Sequence, residues 1–178
     1  YTLEPVRLYV ATMLDDPARL AAVASATALV DAALPERDPH PDLFAALVTL
    51  LGRIAEADPR TPPETWAADY VRFELMLLAE LGYGLALDAC AVTGVTEGLA
   101  YVSPRTGRAV SAEGAGVYRE RLLPLPPFLR GEGEPDARQV AAGLRLAGHF
   151  LRRHIFAATA RPVPVARDRL VDLLRRRA

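Results

Sequence analysis

The stretch that decides the fold is residues 71–111, VRFELMLLAELGYGLALDACAVTGVTEGLAYVSPRTGRAVS. Its first part has the apolar spacing of a buried helix, and Gly82 stands where such a helix would stop. Its last part contains two strand-like runs, 99–103 and 108–111, separated by the tetrapeptide PRTG. This connection is typical of a β-hairpin in which Gly107 takes a positive φ. The stretch therefore predicts a core helix and a small hairpin, with one cysteine between them.

Helical patterns fill the first half of the chain. Capping residues and prolines predict four helices that begin near Val6, Asp16, His40 and Thr61, the last with a Thr61–Glu64 capping box. Three- and four-residue spacing predicts inner faces of Leu20, Val23, Thr27, Val30 and Leu34, then Phe44, Leu47, Leu51 and Ile54, then Trp66, Tyr70, Phe73, Leu77 and Leu81. The last helix is apolar over most of its circumference, including Val71, Leu75 and Leu78. It should be central, with an outer seam of Asp69, Arg72, Met76 and Glu80.

The remaining segments complete a mainly α domain. Residues 122–129 are apolar and proline-rich and are expected to be extended against the core, and 131–134 should form a loop. Two helices, 136–157 and 165–176, should close the chain. At 178 residues and 51% hydrophobic composition, we expect a single helical domain, 1–178, with a hairpin insertion at about 90–118. The sequence has no apolar run of membrane-spanning length and one cysteine, so we expect a cytoplasmic protein.

Several short motifs occur in a distinctive order. They are RFEL at 72–75, LGYG at 81–84, Cys90 and YVSP at 101–104, with LEPVR at 3–7, LLPLPPFL at 122–129 and GLRLAGHFLRRH at 143–154. This series closely resembles RecO, the bacterial recombination mediator family. The resemblance implies the family's helical C-terminal domain. An OB-fold precedes this region in the family, so we expect the chain to be a fragment that lacks it.

The cysteine region raises the question of a metal. Some members of the family bind zinc here through two C-x2-C pairs, because four thiolates satisfy the ion tetrahedrally. In this chain Cys90 occupies the first ligand position, whereas Thr93, Ser111 and Gly114 occupy the others. We therefore expect no metal and no other cofactor, a degenerate zinc module held together by packing, and a buried Cys90.

Charge is distributed unevenly along the chain. Residues 1–97 contain 6 Arg against 15 acidic residues, whereas residues 98–178 contain 15 Arg against 7, and the chain has no Lys. The final helices place an apolar face of Val140, Leu144, Ala147, Leu151 and Ile155 opposite a cationic face, with His149 among the arginines. The candidate DNA-binding residues are Arg138, Arg145, Arg152, Arg153, Arg175 and Arg176, and the alternative is a merely solvated surface. Aromatic side chains other than Phe150 are scarce there, which favours electrostatic, sequence-independent binding.

The resemblance also implies partners and a function. RecO proteins act in recombinational repair: they bind and anneal DNA, and with RecR, and in some bacteria RecF, they help RecA load onto DNA coated by single-stranded-DNA-binding protein. The acidic, Phe-ended tail of that protein docks on the family's helical domain. The resemblance points to Arg72, Phe73 and Met76 as the tail pocket, with an Asp69–Arg72 surface ion pair as the alternative role of Arg72. In bacteria such a protein would be associated with the nucleoid.

No motif in the chain indicates catalysis. A P-loop, a nucleophile elbow, a His-Glu-x-x-His motif and a dinucleotide-binding glycine motif are all absent from the sequence. We therefore expect a protein that is not an enzyme. The rival hypothesis is a helical protein-interaction scaffold that does not bind DNA directly.

Overall fold

The computed structural model describes residues 13–58, 60–159 and 161–176. The helices are α1 (Pro17–Ala33), α2 (Pro41–Glu56), α3 (Pro63–Glu80), α4 (Ala112–Ala115), α5 (Ala137–Phe150), α6 (Ala157–Thr159) and α7 (Val165–Arg175). The strands are β1 (Leu99–Val102), β2 (Ala109–Ser111) and β3 (Leu123–Pro124). Two 3₁₀ helices, Gly116–Arg121 and Pro127–Arg130, flank β3, and a π-helical turn, Leu151–Phe156, follows α5. The fold is therefore mainly helical, as predicted, with a small antiparallel sheet.

The sheet is larger than the predicted hairpin. The strands β1 and β2 pair antiparallel, with Val102 opposite Ala109, and Gly107 takes a φ of 69° in the connection. The segment predicted only to be extended adds β3 on the other side of β1, which gives the order β2-β1-β3. Because β3 has only two residues, one of them proline, its sequence has no alternation by which to predict a strand.

Helix α3 lies at the centre of the helical layer and contacts α1, α2 and α5. Its predicted inner residues Trp66, Tyr70, Phe73 and Leu77 are buried, and the seam residue Arg72 is exposed. Gly82 takes a φ of 84° directly after the helix, which confirms the predicted stop. The predicted capping box is wrong: the helix starts one residue later, with Pro62 in the capping position and no side-chain cap.

The predicted inner face of α1 is wrong. The helix buries a narrow face of mainly small side chains: Ala18, Arg19, Ala21, Ala22, Ser25, Ala26 and Leu29. Leu20, Val23, Val30 and Leu34 are only partly buried, and Thr27 is exposed. Small side chains allow helices to approach closely, and α1 packs against α7, α2 and α3. Periodicity alone favours the larger residues and so selects the adjacent face.

The inner face of α2 was predicted only in part. Ile54 is buried, whereas Leu47 and Leu51 are partly buried and Phe44 is 68% exposed. Leu43 and Leu50 are buried in their place. With this face buried, Arg53 lies on the side of α2 next to α3, where it forms an ion pair with Asp69.

One hydrophobic core joins the helices and the sheet. Buried residues of α3 and α5 are continuous with Cys90, Val102 and Phe128. All five residues of the predicted apolar face of the penultimate helix are buried, although the chain passes from α-helix to π-helix at Leu151 instead of continuing as one α-helix. In the described part of the chain, no helix is both long and apolar enough to cross a bilayer. The predicted helix at 6–14 lies almost wholly outside the described residues.

Candidate functional sites

The RFEL motif contributes a buried ion pair to the core. Glu74 is completely buried on α3, and its carboxylate accepts hydrogen bonds from the guanidinium of Arg167 on α7, at 2.6 Å from Nε and 2.8 Å from Nη2. Arg167 Nη2 also donates to the carbonyl of Leu144 on α5, at 2.8 Å. Three helices are thus joined at one guanidinium. Burial lowers the pKa of Arg167, but the charge of Glu74 outweighs it and raises the pKa, so the guanidinium stays charged.

Two further features belong to this polar cluster. The phenol of Tyr70 hydrogen-bonds the hydroxyl of Ser25 on α1, and burial together with the Glu74 charge raises the Tyr70 pKa well above its usual value. A Cβ on Gly148 would lie 2.7 Å from Arg167 Nη1, so glycine makes room for the guanidinium. The sequence reading missed this cluster. The sequence did contain a sign of a buried charge. Glu74 is an acid whose neighbours three and four positions away on both sides are apolar.

The LGYG and YVSP motifs hold the sheet module against the helices. The Tyr83 ring stacks on His154 with centroids 4.8 Å apart, and His154 stacks in turn on buried Phe150. His149 Nε2 lies 2.9 Å from the carbonyl oxygen of Pro104, at hydrogen-bonding distance. Burial and the nearby positive charge of Arg153 lower the pKa of His154, which favours its neutral form.

The four zinc-ligand positions expected from the resemblance come together in space. Cys90 is buried, and its Sγ accepts hydrogen bonds from the backbone N–H groups of Ser111, at 3.2 Å, and Thr93, at 3.4 Å. A Cβ on Gly114 would lie 3.1 Å from the same sulfur. Burial raises the pKa of the Cys90 thiol, but these hydrogen bonds outweigh it and lower the pKa to about 6. Within the described ranges, no three His, Cys, Asp or Glu side chains are grouped to hold a metal ion.

The predicted tail-pocket residues line one groove. It lies between α2 and α3, has a volume of about 250 Å³ and is lined by Ala46, Thr49, Leu50, Arg53, Asp69, Arg72, Phe73 and Met76. Asp69 accepts from Arg72 at 2.8 Å and from Arg53 at 2.8 Å, so the ion pair offered as the alternative role of Arg72 is present. Arg72 also donates to the Phe128 carbonyl at 3.0 Å and lies over the Phe128 ring.

The geometry of this groove suits recognition of an anion beside an apolar group. The Arg72 side chain is still 45% exposed, and that of Arg53 is 62% exposed. Two guanidiniums therefore face solvent around one carboxylate, next to the apolar surface of Phe73 and Met76. The sequence analysis missed Arg53, because the predicted inner face of α2 was Phe44, Leu47, Leu51 and Ile54 and did not include it.

The predicted DNA-binding arginines divide into two groups. Arg145, Arg152 and Arg175 line one depression of about 380 Å³ between α5 and α7, with Arg167 and the acidic residues Asp168 and Asp172. We call this the α5–α7 depression. Arg138, Arg153 and Arg176 are exposed but do not line it. Arg161, which the sequence reading did not select, borders an adjoining depression that also includes Arg152.

These features define a mainly helical domain with an inserted β-sheet module. A family model described as Recombination protein O C terminal matches residues 14–161. The DNA repair protein RecO of Rhodospirillum centenum is 53% identical over 176 residues, which cover 98% of this chain and 68% of that protein. Those of Phenylobacterium zucineum and Caulobacter vibrioides are 49% and 48% identical, and each alignment covers 97% of this chain and 69% of the relative. No solved structure matches the chain. The chain belongs to the RecO family.

Proposed function

We propose that this chain acts in DNA repair as a recombination mediator, by binding DNA and protein partners and without catalysing a reaction. The observation that carries the proposal is the α5–α7 depression, where Arg145, Arg152 and Arg175 converge. The relatives named DNA repair protein RecO support the repair role. Mobile guanidinium groups on a helical surface suit phosphates in any sequence, because phosphate contacts carry no base information.

The proposal predicts a specific salt dependence. Removing three phosphate contacts should reduce the slope of log affinity against log salt by about 2 to 3. The test variant is Arg145→Ala/Arg152→Ala/Arg175→Ala, and the matched control is Arg37→Ala/Arg60→Ala/Arg105→Ala, which removes the same charge at exposed positions outside the candidate DNA-binding residues. Equal slopes in the parent and the test variant would reject the depression as the DNA site. Absence of DNA binding by the parent at low salt would favour the protein-interaction scaffold.

We further propose that the groove between α2 and α3 binds the acidic, Phe-ended tail of single-stranded-DNA-binding protein. The apolar side of the groove can receive the ring of the terminal Phe. Arg72 can bind the terminal carboxylate, which then competes with Asp69 for the guanidinium. Arg72→Glu should abolish capture of an acidic peptide that ends in Phe, because a carboxylate then faces a carboxylate. Arg60→Glu, on a residue paired only locally with Asp58, is the control. Parental affinity in folded Arg72→Glu, measured by fluorescence anisotropy, would exclude Arg72 from the site.

The remaining roles follow from the same proposal. We assign RecR, and with it RecF and RecA, as functional partners in the nucleoid of a bacterial cytoplasm. We also interpret the region around Cys90 as a zinc module that has lost its metal. In support, the thiol and the three substituted ligand positions lie together, and two backbone N–H groups donate to the sulfur.

A further inference from the structure

Few aromatic rings on this domain are open to solvent. Among the described residues, the exposed large apolar side chains include three that are aromatic: Phe44, Tyr83 and Tyr118. Phe150, the aromatic group expected beside the basic helix, is 1% exposed and cannot receive a base. Tyr83 already stacks on His154. Tyr83 is 40% exposed, so Phe44 and Tyr118, at 68% and 61%, are the more open rings of the described surface.

The surroundings of these two rings differ in charge. Phe44 lies on α2 two residues after Asp42, in the acidic half of the chain. Tyr118 is 61% exposed in the 3₁₀ helix Gly116–Arg121, between the sheet strands β2 and β3 and in the basic half. Of these two rings, Tyr118 therefore combines openness with neighbouring arginines in the chain, Arg119 and Arg121, and the phosphates of a nucleic acid require such positive charge.

The 3₁₀ geometry sorts the side chains of this helix into separate faces. Residues three apart eclipse one another in a 3₁₀ helix, so Tyr118 and Arg121 share one face, whereas Val117 and Glu120 share another. Arg119 is directed to the sheet, where its guanidinium lies 5.7 Å from the Tyr101 ring centroid. Tyr118 and Arg121 thus lie on one face, one turn apart, and Glu120 lies on a different face of the helix.

We propose that the Tyr118–Arg121 face binds single-stranded nucleic acid, with a base stacked on Tyr118 and an adjacent phosphate contacted by Arg121. This inference rests on the proposed function and adds to it a second contact point on the sheet module, away from the α5–α7 depression. The occupant must be single-stranded, because the bases of a duplex present no open ring face. Stacking tolerates any base, since every base has a π-face.

Substitutions at Tyr118 test the proposal in the whole chain. Loss of one stacked base weakens binding by about 5- to 150-fold. Tyr118→Ala should therefore weaken binding to an oligothymidylate by that factor and leave binding to a duplex of equal length unchanged. Tyr118→Phe should restore parental affinity. The matched control is Val117→Ala, because Val117 is 91% exposed on the other face of the same helix.

A fluorescence measurement reports stacking directly. Tyr118→Trp introduces an exposed indole, whereas the native Trp66 is 3% exposed and serves as an internal reference in the parent. Oligothymidylate should quench the new indole and leave the parent's emission unchanged.

The proposal is overturned if Tyr118→Ala binds the oligothymidylate with parental affinity, or if it loses affinity equally for single strand and duplex. DNA binding by the parent would still stand in either case. Dissociation of a self-associated form by Tyr118→Ala, with unchanged DNA affinity, would identify the face as a protein contact and overturn it too. A parent that binds no DNA would refute the proposed function as well.

Discussion

Replacing Arg167 with leucine should destabilise the domain far more than any change to an exposed arginine. The guanidinium is 2% exposed, and its partner Glu74 has no exposed surface. Arg167→Leu removes both donors to the carboxylate and the donor to the Leu144 carbonyl, but leaves the carboxylate in the core. The variant must then bury an uncompensated charge or protonate it.

The magnitude follows from the geometry of the pair. Breaking a buried ion pair by removing one partner costs about 3–5 kcal/mol. For a chain of this size, that loss corresponds to a fall in Tm of roughly 6–20 °C. The double variant Glu74→Leu/Arg167→Leu removes both charges and should recover much of this loss, because well-packed apolar replacements of buried pairs are often neutral or stabilising. The control is Arg53→Ala, whose side chain is 62% exposed and whose ion pair with Asp69 contributes no more than about 1 kcal/mol.

Urea unfolding followed by circular dichroism measures five proteins: the parent, Arg167→Leu, Glu74→Leu, the double variant and the control Arg53→Ala. The unfolding free energies of the first four form a double-mutant cycle, and its coupling energy isolates the contribution of the ion pair. Arg167→Leu unfolding at the same urea concentration as Arg53→Ala would refute the reasoning. A double variant less stable than Arg167→Leu would show that the leucines do not pack and that the pair's volume, more than its charge, holds the helices together.

Four further outcomes are expected. Gly148→Ala should lower the unfolding free energy by about 1–3 kcal/mol, measured in urea, because its Cβ would overlap the guanidinium of Arg167. Burial and neighbouring positive charges lower the pKa of His154, so just below pH 6.5 this histidine is protonated more in the unfolded chain than in the folded one. The stability of the domain should therefore fall as the pH falls through this range. In thermal unfolding, His154→Gln should make the dependence of Tm on pH weaker there. The hydrogen bond to Glu80 raises the pKa of His40. Protonated His40 therefore stabilises the folded state below pH 6.5, and this stabilisation is lost as the pH rises through the raised pKa. His40→Gln should abolish this change of stability with pH. A chelator should leave Tm unchanged, whereas a chelator-induced fall, or stoichiometric zinc detected by elemental analysis, would show that a metal supports the fold.

The residues that local physics constrains were predicted well from the sequence. Proline in the first turn places the starts of α1, α2 and α3, and all three are found. Gly82 and Gly107 adopt the positive φ that their positions in the pattern require. The faces of α1 and α2 were predicted poorly. The row of alanines on α1 becomes a buried face only when a neighbouring helix approaches it closely, and on α2 the packing against α3 buries Leu43 and Leu50 instead of Phe44.

The candidate sites show the same division. The pattern of arginines on the final helices was visible in the sequence, but only the docking of α7 on α5 selects Arg145, Arg152 and Arg175 as one group. Arg72 and Met76 were recognisable on the seam of α3. Arg53 joins them only because α2 packs against that seam with the side that carries Arg53.

The sequence by itself determined the helical class of this domain, the position of the sheet module and the basic character of its second half. These properties depend on spacing, turn residues and charge, which act over a few residues. The tertiary structure alone decided that Glu74 and Arg167, 93 positions apart, form one buried pair. Such a contact depends on how whole helices pack, since a charge is retained in a core only where the fold supplies its partner.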